Sequence, residues 1–264
     1  MEYIPEDKIK GVRSLFDLTG RTGVITGGSR GLGRGMALAL AAAGVDVAVV
    51  SRTQSDLETV AGEIRKLGRR GLAIGADVSD EKQVEGMVEQ VLKEFKGINI
   101  LINSAGIVSI KPTIEYPLDE WQRIMDVNLR GTFLCCKHVG KVMLKQGGGK
   151  IINLSSVRGL QGRAKDPSYP ASKGAVNMLT KSLALEWAKN NITVNAIAPT
   201  FIRTSINASL LDDEAWREWV LNRIPMGRIG EIWDLFGSML FLSSPASDFV
   251  TGQILYVDGG WISG

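Results

Sequence analysis

A phenol and an ammonium group one helical turn apart are the first candidates for chemistry in this sequence. Tyr169 and Lys173 stand in the segment SYPASKG, residues 168–174, at positions i and i+4 that share one face of a helix. A free phenol has a pKa near 10, so acid–base work at neutral pH needs about 3 units, or ~4 kcal/mol, of phenolate stabilisation. A cation ~4–5 Å away supplies about 3–4 kcal/mol at an effective dielectric constant near 20. We therefore predict that Lys173 lowers the pKa of Tyr169 and makes it a proton donor and acceptor.

A proline directly after the tyrosine indicates where this helix begins. Pro170 lacks an N–H, which a helix tolerates in its first turn because that N–H would have no intrahelical partner. A proline also moves the preceding residue away from the right-handed helical region. The sequence therefore predicts a helix that begins close to Tyr169, with Lys173 one turn deeper on the same face.

The glycine-rich segment TGGSRGLG, residues 26–33, is a second candidate for chemistry. It follows an apolar run typical of a strand and precedes a predicted helix, which is the setting that a phosphate-binding loop requires. Glycines there let backbone amides approach a pyrophosphate, and the helix N-terminus adds a favourable dipole. The spacing is Gly-x3-Gly-x-Gly, and a tight strand-to-helix turn is the alternative. We predict a dinucleotide site that includes Gly27, Ser29, Arg30, Gly31, Leu32 and Gly33.

The end of the second predicted strand indicates which dinucleotide binds. Folds that bind NAD often carry an acidic residue there, which binds the ribose 2′-hydroxyl. Here Ser51 takes that position, Arg52 follows it, and Arg30 lies in the glycine loop. Guanidinium groups pair bidentately with phosphate, so two of them without a carboxylate suit a 2′-phosphate. We predict that NADP(H) is preferred, with NAD(H) as the second choice; two solvated arginines are the alternative.

Short apolar runs alternate with longer helical patterns along the chain. Most runs are apolar throughout, as expected of strands covered on both faces, and this alternation implies parallel strands joined by helices. The predicted strands are 22–26, 45–50, 71–76, 98–102, 150–154, 193–198 and 254–257, and the predicted helices are 32–43, 55–67, 80–95, 119–145, 170–189 and 231–243. The expected fold class is α/β: a single-domain, Rossmann-like, doubly wound parallel sheet of about seven strands with helices on both faces.

Two segments fall outside this alternation. Residues 1–18 form an N-terminal extension, so the single dinucleotide-binding and catalytic domain is expected to span residues 19–264. Residues 204–228 carry Trp216 and Trp219 and follow the carboxyl end of a predicted strand, where a substrate lid would lie. An oligomer contact or a packed surface helix is the alternative for residues 204–228.

The overall composition excludes several classes of protein. Of the 264 residues 44% are hydrophobic, and the net charge is only +3 with no long basic run, which argues against a nucleic-acid or anionic-membrane partner. No apolar stretch approaches the ~20 residues of a membrane span, and the charged N-terminus lacks a signal-peptide core. The adjacent Cys135 and Cys136 suit a reducing compartment, so we expect a cytoplasmic protein. Cys135 and His138 lack further ligands for a metal shell, so no metal is expected; two small residues on a buried helix face are the simpler interpretation.

An ordered set of motifs resembles the short-chain dehydrogenase/reductase family across residues 16–264. The set comprises the glycine loop, Asp77-Val78 after the third strand, Asn103-Ser-Ala-Gly106, Asn128 in the run DVNL, Ser156 at the end of IINLSS, and Tyr169-x-Ala-Ser-Lys173. The resemblance implies that Tyr169 is the acid/base and that Lys173 lowers its pKa and binds the nicotinamide ribose. It implies that Ser156 hydrogen-bonds the substrate oxygen and that Asn128 helps to hold Lys173 and a proton-relay water. An ordinary surface Tyr–Lys pair, the alternative for residues 169–173, leaves Ser156 and Asn128 unexplained.

The resemblance also implies cofactor contacts beyond the glycine loop. These are Asp77 and Val78 at the adenine, the supporting segment with Asn103, Ala105 and Gly106, the pair Tyr169 and Lys173, and Pro199, Thr200, Ile202 and Thr204 after the sixth strand. Thr204 matches the threonine expected at the nicotinamide amide. Thr200 departs from the family's usual glycine, and threonine adopts a positive φ only at a cost.

The loop after Ser156 is where the family binds its substrates. Its cations Arg158, Arg163 and Lys165 suit a carboxylate or a polyol better than a steroid or a long chain, and solvated cations are the alternative. We predict that the substrate contacts Ser156, Arg158, Arg163 and Tyr169. The segments 150–173, RIPMGR at residues 223–228 and VDGGW at residues 257–261 resemble the sugar-acid branch of the family, gluconate 5-dehydrogenase and 2-deoxy-gluconate 3-dehydrogenase. That resemblance implies an oxidoreductase that interconverts a ketone and a secondary alcohol on a sugar acid or polyol, and the arginines described above predict that it uses NADP(H).

Two other functions are alternatives. The motifs of 3-oxoacyl-carrier-protein reductase are nearly identical, and its basic surface would dock an acidic carrier. A cofactor-binding regulatory protein without turnover is the second alternative, and the presence of both Tyr169 and Lys173 argues against it. The resemblance also implies a homotetramer whose contact surfaces are the predicted helices 119–145 and 170–189 and the apolar C-terminal end.

Overall fold

One parallel sheet organises the molecule. The computed structural model describes residues 9–204 and 213–264, and within them seven strands form a single sheet in the order β3-β2-β1-β4-β5-β6-β7. The strands are β1 (Thr22–Thr26), β2 (Asp46–Ser51), β3 (Gly71–Gly75), β4 (Ile100–Asn103), β5 (Gly149–Leu154), β6 (Ile192–Pro199) and β7 (Ile254–Val257). Every residue of β1, β4 and β6 is buried, as expected of strands that are covered on both faces. The predicted α/β fold class is confirmed.

Helices cover both faces of this sheet. They are α1 (Gly31–Ala42), α2 (Gln54–Lys66), α3 (Glu81–Phe95), α4 (Leu118–Met125), α5 (Gly131–Gln146), α6 (Ser168–Trp187), α7 (Glu214–Leu221) and α8 (Phe236–Ser243). One core layer contains Leu40 of α1 and Met239 of α8, which pack with the residues of α2. The opposite layer contains Met87 of α3 and Val139 of α5, which pack with the residues of α6. The two layers make the sheet the centre of the molecule and place the connecting loops at its edges.

The strand order changes direction between β1 and β4. Thr26, the last residue of β1, pairs with Val50 of β2 on one side and with Asn103 of β4 on the other. The crossovers from these neighbours run to opposite faces, so a crevice opens outside the carboxyl ends of the strands. The glycine loop follows Thr26 directly and therefore lies at this crevice.

Three helices differ in detail from their predicted form. The single helix expected over 119–145 is α4 and α5 joined by one π-helical turn, Asp126–Arg130. The helix expected over 231–243 begins as a 3-10 turn, Ile232–Leu235, and becomes α-helical only in α8. Helix α6 begins at Ser168, one residue before Tyr169, which agrees with the start inferred from Pro170.

The two segments outside the alternation are partly described. Residues 205–212 of the predicted lid lie outside the described residues. Helix α7 occupies part of the remainder, and the Asp213 carboxylate caps it by accepting the backbone N–H of Trp216 at 3.1 Å. Residues 1–8 of the predicted extension also lie outside the described residues. Leu18, assigned to that extension, is only 1% exposed and belongs to the core layer of α1, so domain packing begins before residue 19. Within the described ranges, no helix combines the length and the apolar character needed to cross a membrane.

Candidate active site

Helix α6 places Tyr169 and Lys173 at the carboxyl edge of the sheet. The Lys173 Nζ lies 5.6 Å from the centroid of the Tyr169 ring and donates a hydrogen bond to the Leu154 carbonyl at 2.6 Å. Leu154 ends β5, so the ammonium is anchored to the strand that leads to Ser156. Lys173 is buried and Tyr169 is half-buried. The predicted neighbourhood of a phenol and a cation is therefore present, and the strand holds the cation beneath the ring.

The pKa values of this pair differ from the sequence-based expectation. Burial raises the pKa of Tyr169, and a hydrogen bond from Ser156 opposes that rise without cancelling it. Burial also lowers the pKa of Lys173 to about 8. The expected lowering of the Tyr169 pKa is thus wrong for this structure, because desolvation outweighs the stabilising groups and Lys173 directs its Nζ at Leu154. A phenol with a raised pKa is protonated at neutral pH, which is the form that donates a proton to a carbonyl.

Ser156 joins this pair from the loop after β5. Its hydroxyl donates to the Pro199 carbonyl at 3.5 Å and accepts the Arg158 backbone N–H at 3.1 Å, and its proximity to the phenol opposes the rise that burial gives the pKa of Tyr169. These contacts fix a buried hydroxyl beside the phenol. Two hydroxyl groups converge where one carbonyl oxygen could accept from both, which is an arrangement of the oxyanion-hole type.

Asn128 lies in the π-helical turn between α4 and α5 and is fully buried. Its Oδ1 accepts the Ile107 N–H at 2.8 Å, while its Nδ2 donates to the Ile107 carbonyl at 2.9 Å and to the Ser172 Oγ at 3.1 Å. A Cβ added to Gly106 would lie 3.5 Å from Asn128 Oδ1 and 3.6 Å from Lys173 Nζ, so the asparagine and the lysine flank the same backbone. Asn128 thus ties the loop after β4 to α6. Single π-turns of this kind are frequent at functional sites.

The two arginines predicted to bind substrate have different surroundings. The Arg158 Nη1 donates to the Gly162 carbonyl at 3.0 Å, and its guanidinium lies 5.4 Å from the centroid of the Trp261 ring. Burial lowers the pKa of Arg158, and the nearby charge of Arg163 adds to that effect. The Arg163 Nε instead donates to the Asp166 carboxylate at 2.9 Å. Arg158 thus has no carboxylate partner among the ion pairs of the described residues, whereas Arg163 is paired with the buried Asp166.

Sequence reasoning missed two residues of this region. Asp166 is buried and accepts the Tyr169 N–H at 3.2 Å, and an aspartate just before a helix start is a recognisable capping signal. Trp261 donates its indole N–H to the Gln161 Oε1 at 2.8 Å, a contact between residues 100 positions apart. Its ring lies 5.4 Å from that of Phe201. No local pattern predicts the Trp261 contact, because it depends on how the chain end folds back.

The glycine loop has the geometry that a pyrophosphate requires. Gly27 and Gly31 adopt φ of 66° and 55°, a region that favours glycine. A Cβ on Gly33 would lie 2.2 Å from the Gly27 carbonyl oxygen, so only glycine fits there. The N-cap of α1, Arg30, provides no side-chain hydrogen bond, which leaves the first N–H groups of the helix without a side-chain cap. Ser29 and Leu32 occupy the remaining positions of this cradle and are half-buried.

The end of β2 offers further polar groups beside this loop. The Ser51 Oγ is buried without a hydrogen-bond partner, and the guanidinium groups of Arg52 and Arg30 are exposed. A buried orphan hydroxyl is costly unless a ligand satisfies it. These groups fit the ribose end of a dinucleotide.

The segments expected at the adenine and beneath the cofactor are held by their own contacts. The Asp77 Oδ1 accepts from the Ser79 N–H at 2.9 Å, and Val78 is buried. The Ser104 and Ala105 N–H groups both donate to the Thr26 Oγ1 at 3.2 Å, which fixes the segment through Gly106. The Asn103 side chain points into the core, where its Nδ2 donates to the Asn153 Oδ1 at 2.9 Å. Asn103 therefore supports the sheet edge from below.

The segment after β6 completes the crevice. Pro199 ends β6, Ile202 forms an isolated parallel bridge with Gly230, and a Cβ on Gly31 would lie 3.9 Å from the Thr204 methyl group. Thr200 does not adopt a positive φ, so a threonine in place of the family's usual glycine causes no backbone strain at this position. The Thr200 Oγ1 is buried without a partner, a second orphan hydroxyl along the cofactor path.

The residues considered for a metal lie elsewhere. Burial raises the pKa of the Cys136 thiol to about 12, and Cys135 is buried beside it. Among the described residues, one group of three potential ligands exists: Glu81, Glu85 and His138, with the His138 Nε2 3.0 Å from the Glu81 Oε1. Lys137 pairs with the same carboxylate at 2.6 Å. These contacts make an ion-pair network between α3 and α5, away from Tyr169.

The chain is similar to known proteins over nearly its whole length. The family described as "Enoyl-(Acyl carrier protein) reductase" matches residues 27–262. A "2-dehydro-3-deoxy-D-gluconate 5-dehydrogenase" from Bacillus subtilis (strain 168) is 43% identical over 252 residues, 96% of this chain and 98% of the relative. A "3-oxoacyl-[acyl-carrier-protein] reductase" from Synechocystis sp. is 38% identical over 93% of this chain and 98% of its own length. The crystal structure of a gluconate 5-dehydrogenase from Burkholderia cenocepacia J2315 in complex with NADP and tartrate has a TM-score of 0.91 and 39% identity, covering 95% of this chain and 98% of that one.

Proposed function

The chain belongs to the short-chain dehydrogenase/reductase family of oxidoreductases, and we propose that it is an NADP(H)-dependent enzyme that interconverts a ketone and a secondary alcohol on a sugar acid. One observation carries the reaction class: the centroid of the Tyr169 ring lies 5.6 Å from the buried Lys173 Nζ, with the Ser156 hydroxyl near enough to oppose the rise that burial gives the pKa of the phenol, beside a glycine-loop helix without a side-chain cap. This arrangement offers two hydroxyl donors to one carbonyl oxygen.

The proposed mechanism assigns each step to a described side chain. A nicotinamide cofactor, when held at the glycine loop, would supply or accept the hydride. Ser156 and Tyr169 donate hydrogen bonds to the carbonyl oxygen, and Tyr169 then transfers its proton to that oxygen during reduction. Lys173 compensates the charge that develops on the phenol. Asn128 holds Ile107 and α6 together and so maintains the spacing between the cofactor segment and Lys173.

We propose NADP(H) as the preferred cofactor because the rim at β2 carries cations and no carboxylate. Arg30 in the glycine loop and Arg52 after β2 are exposed and can pair with a 2′-phosphate, and the Ser51 hydroxyl at the end of β2 is buried without a partner. Three of the structural relatives are described with bound NADP, which supports the same choice.

The sugar-acid substrate is proposed from Arg158. This guanidinium is half-buried, stacked near Trp261 and held by the Gly162 carbonyl, so one edge is fixed and the other can pair with a carboxylate. A preoriented, partly desolvated guanidinium binds a carboxylate more strongly than an exposed one does. The gluconate and deoxygluconate names of several relatives support the same substrate class.

A substrate panel tests this proposal. We expect the protein to oxidise NADPH with 5-keto or 3-keto sugar acids, and Arg158→Ala to raise KM for these acids by about 10–100-fold, the loss of one charge-assisted pair. KM for a neutral keto-polyol of the same length should change little. Tyr169→Phe should remove turnover of both. An Arg158→Ala enzyme with unchanged KM for the acids would contradict the carboxylate role.

Reduction of an acyl-carrier substrate is the second candidate, favoured by the Synechocystis relative. Fast NADPH oxidation with an acetoacetyl thioester, together with inert keto-sugar acids, would assign the chain to that reaction. Turnover of neither class would favour a cofactor-binding protein without catalysis.

The remaining expectations stay proposals. We propose that residues 204–228 form a substrate lid and that the chain forms a homotetramer through α5 and α6, which expose Phe133, Met178 and Leu185. The free thiols of Cys135 and Cys136 support the proposed cytoplasmic location. Size-exclusion chromatography with light scattering tests the tetramer, since a monomer at micromolar concentration would refute it.

A further inference from the structure

A buried carboxylate stands at the entry to α6 and has no part in the reaction proposed above. The Asp166 side chain is fully buried, and its Oδ2 accepts from the Arg163 Nε at 2.9 Å. Its Oδ1 accepts the backbone N–H of Tyr169 at 3.2 Å. The acid therefore binds the backbone of the proton donor directly.

Both backbone polar groups of Tyr169 are held by side chains. Asp166 takes its N–H, and the Ser172 hydroxyl donates to its carbonyl at 2.7 Å. The next residue, Pro170, has no N–H of its own, so the Tyr169 amide is the donor nearest to the phenol at which a side chain can fix the helix start. An ionised acceptor makes this hydrogen bond stronger than a neutral one would.

The loop that carries Asp166 is itself fixed to the neighbouring segment. The Lys111 N–H donates to the Lys165 carbonyl at 2.7 Å, and Lys165 adopts a left-handed φ of 59°. The buried Ser168 hydroxyl lies 2.7 Å from the Tyr116 hydroxyl. Asp166 is thus enclosed on both sides and is not available to a substrate.

We propose that Asp166 is a positioning residue that fixes the location of the Tyr169 phenol and places a buried negative charge beside it, and that Arg163 serves as the charge partner of Asp166 instead of binding substrate. The proposal rests on the proposed function, because it takes Tyr169 as the proton donor. It reassigns Arg163 from the substrate site to the support of the catalytic helix.

The electrostatic part follows from the groups around the phenol. The charged groups that act on or face Tyr169 are Lys173, Arg158, Arg163 and Asp166, and Ser156 hydrogen-bonds it. Among them, the negative charge of Asp166 raises the pKa of Tyr169, whereas Arg163 and Arg158 lower it. Neutralising Asp166 while its shape is kept should therefore lower the pKa of the phenol.

A matched pair of aspartates provides the experiment. Asp46 is also buried and also accepts one backbone N–H and one arginine Nε, both from Arg70, at 3.0 and 2.7 Å. It begins β2, at the end of the sheet opposite to the site. We would compare Asp166→Ala and Asp166→Asn with Asp46→Ala and Asp46→Asn, using NADPH and the best keto acid of the panel. The readouts are kcat, KM for both substrates, the melting temperature, and kcat/KM from pH 6 to 10.

We expect Asp166→Ala to lower kcat by about 100-fold with little change in KM for NADPH, because small displacements of a catalytic group cost about that much. Asp166→Asn keeps the acceptor for the Tyr169 N–H, so its kcat should stay within about tenfold of wild type. Reduction requires the protonated phenol, so the alkaline fall in kcat/KM should move to lower pH in Asp166→Asn. The Asp46 variants should lose stability with unchanged kcat and an unchanged pH profile.

Two outcomes would overturn the proposal. One is an Asp166→Ala enzyme whose kcat equals that of Asp46→Ala; the other is an Asp166→Asn enzyme whose pH profile matches wild type. If Asp166→Ala does not fold, the pH profile of Asp166→Asn alone decides. Tyr169→Phe separates this proposal from the proposed function: an active Tyr169→Phe enzyme refutes both, whereas an inactive one with wild-type-like Asp166 variants refutes the positioning role alone.

Discussion

The buried ammonium of Lys173 should make the protein less stable at neutral pH than a variant without it. Burial lowers its pKa from 10.5 to about 8. At ~1.36 kcal/mol per unit, the difference corresponds to about 3 kcal/mol of unfavourable free energy wherever the lysine is protonated in both states. Lys173→Met removes that charge at similar volume and leaves the Leu154 carbonyl without this donor, a loss of about 1 kcal/mol. The expected net gain is about 2 kcal/mol.

The pH dependence follows from the direction of this shift. Below pH 8 the lysine is protonated in the folded and unfolded states, and the whole penalty applies. Between pH 8 and 10.5 the unfolded state binds more protons than the folded state, so the stability of the wild type rises with pH. Lys173→Met has no such group. Its advantage should therefore be full at pH 7 and fall to zero at about pH 10, where the remaining penalty equals the ~1 kcal/mol of the lost hydrogen bond; above that pH the wild type should be slightly more stable.

Thermal unfolding without nucleotide measures this difference. At about 2–4 °C per kcal/mol, Lys173→Met should melt about 4–8 °C above wild type at pH 7, with no advantage at pH 10.5, while its reductase activity is lost. The control Lys181→Met changes an exposed lysine two turns later on α6, and it should leave the melting temperature unchanged at pH 7 and at pH 10.5. Two results would refute the reasoning. One is a Lys173→Met protein that melts below wild type at pH 7; the other is a difference in melting temperature from wild type that is the same at pH 7 and pH 10.5.

Three further changes have expected outcomes. Asn128→Ala removes the partners of both Ile107 backbone groups, which costs about 2–6 kcal/mol at about 1–3 kcal/mol per orphaned group. The melting temperature should therefore fall by about 4–24 °C, and kcat should fall with it; an unchanged melting temperature would show that these hydrogen bonds do not stabilise the fold. Gly33→Ala places a methyl group against the Gly27 carbonyl oxygen and should abolish NADPH binding in a fluorescence titration. Binding at wild-type affinity would show that the glycine loop does not hold the cofactor. Arg52→Ala should raise KM for NADPH by about 10–100-fold and leave KM for NADH unchanged, and equal effects on both would disprove 2′-phosphate recognition.

The fold was predictable because its signals are local. Continuous apolar runs between helical patterns specify a parallel sheet, and the TGGSRGLG turn identifies its cofactor edge. Pro170 predicted the start of α6 to within a residue of Ser168. The π-helical turn at Asn128 was not predictable, because the surrounding sequence is compatible with one continuous helix.

The candidate site was predictable in its residue types but only partly in its physics. The spacing of Tyr169 and Lys173 correctly placed a cation beneath a phenol. It could not show that burial raises the pKa of the phenol, because desolvation depends on what the rest of the chain packs around it. The sequence shows Arg158 and Arg163 as equivalent cations after Ser156. Only the structure shows that Arg158 contacts the Trp261 ring whereas Arg163 is paired with Asp166.

The amino-acid sequence by itself therefore determined the sheet, the glycine cradle and the helix that presents the phenol, since each depends on neighbours within a few residues. The tertiary structure alone decided that Lys173 binds Leu154, that Trp261 closes over the loop at Gln161, and that Asp166 holds the Tyr169 backbone. Burial, charge compensation and contacts between distant segments exist only after the chain has packed, and they set which of the candidate groups can bind substrate and which support the others.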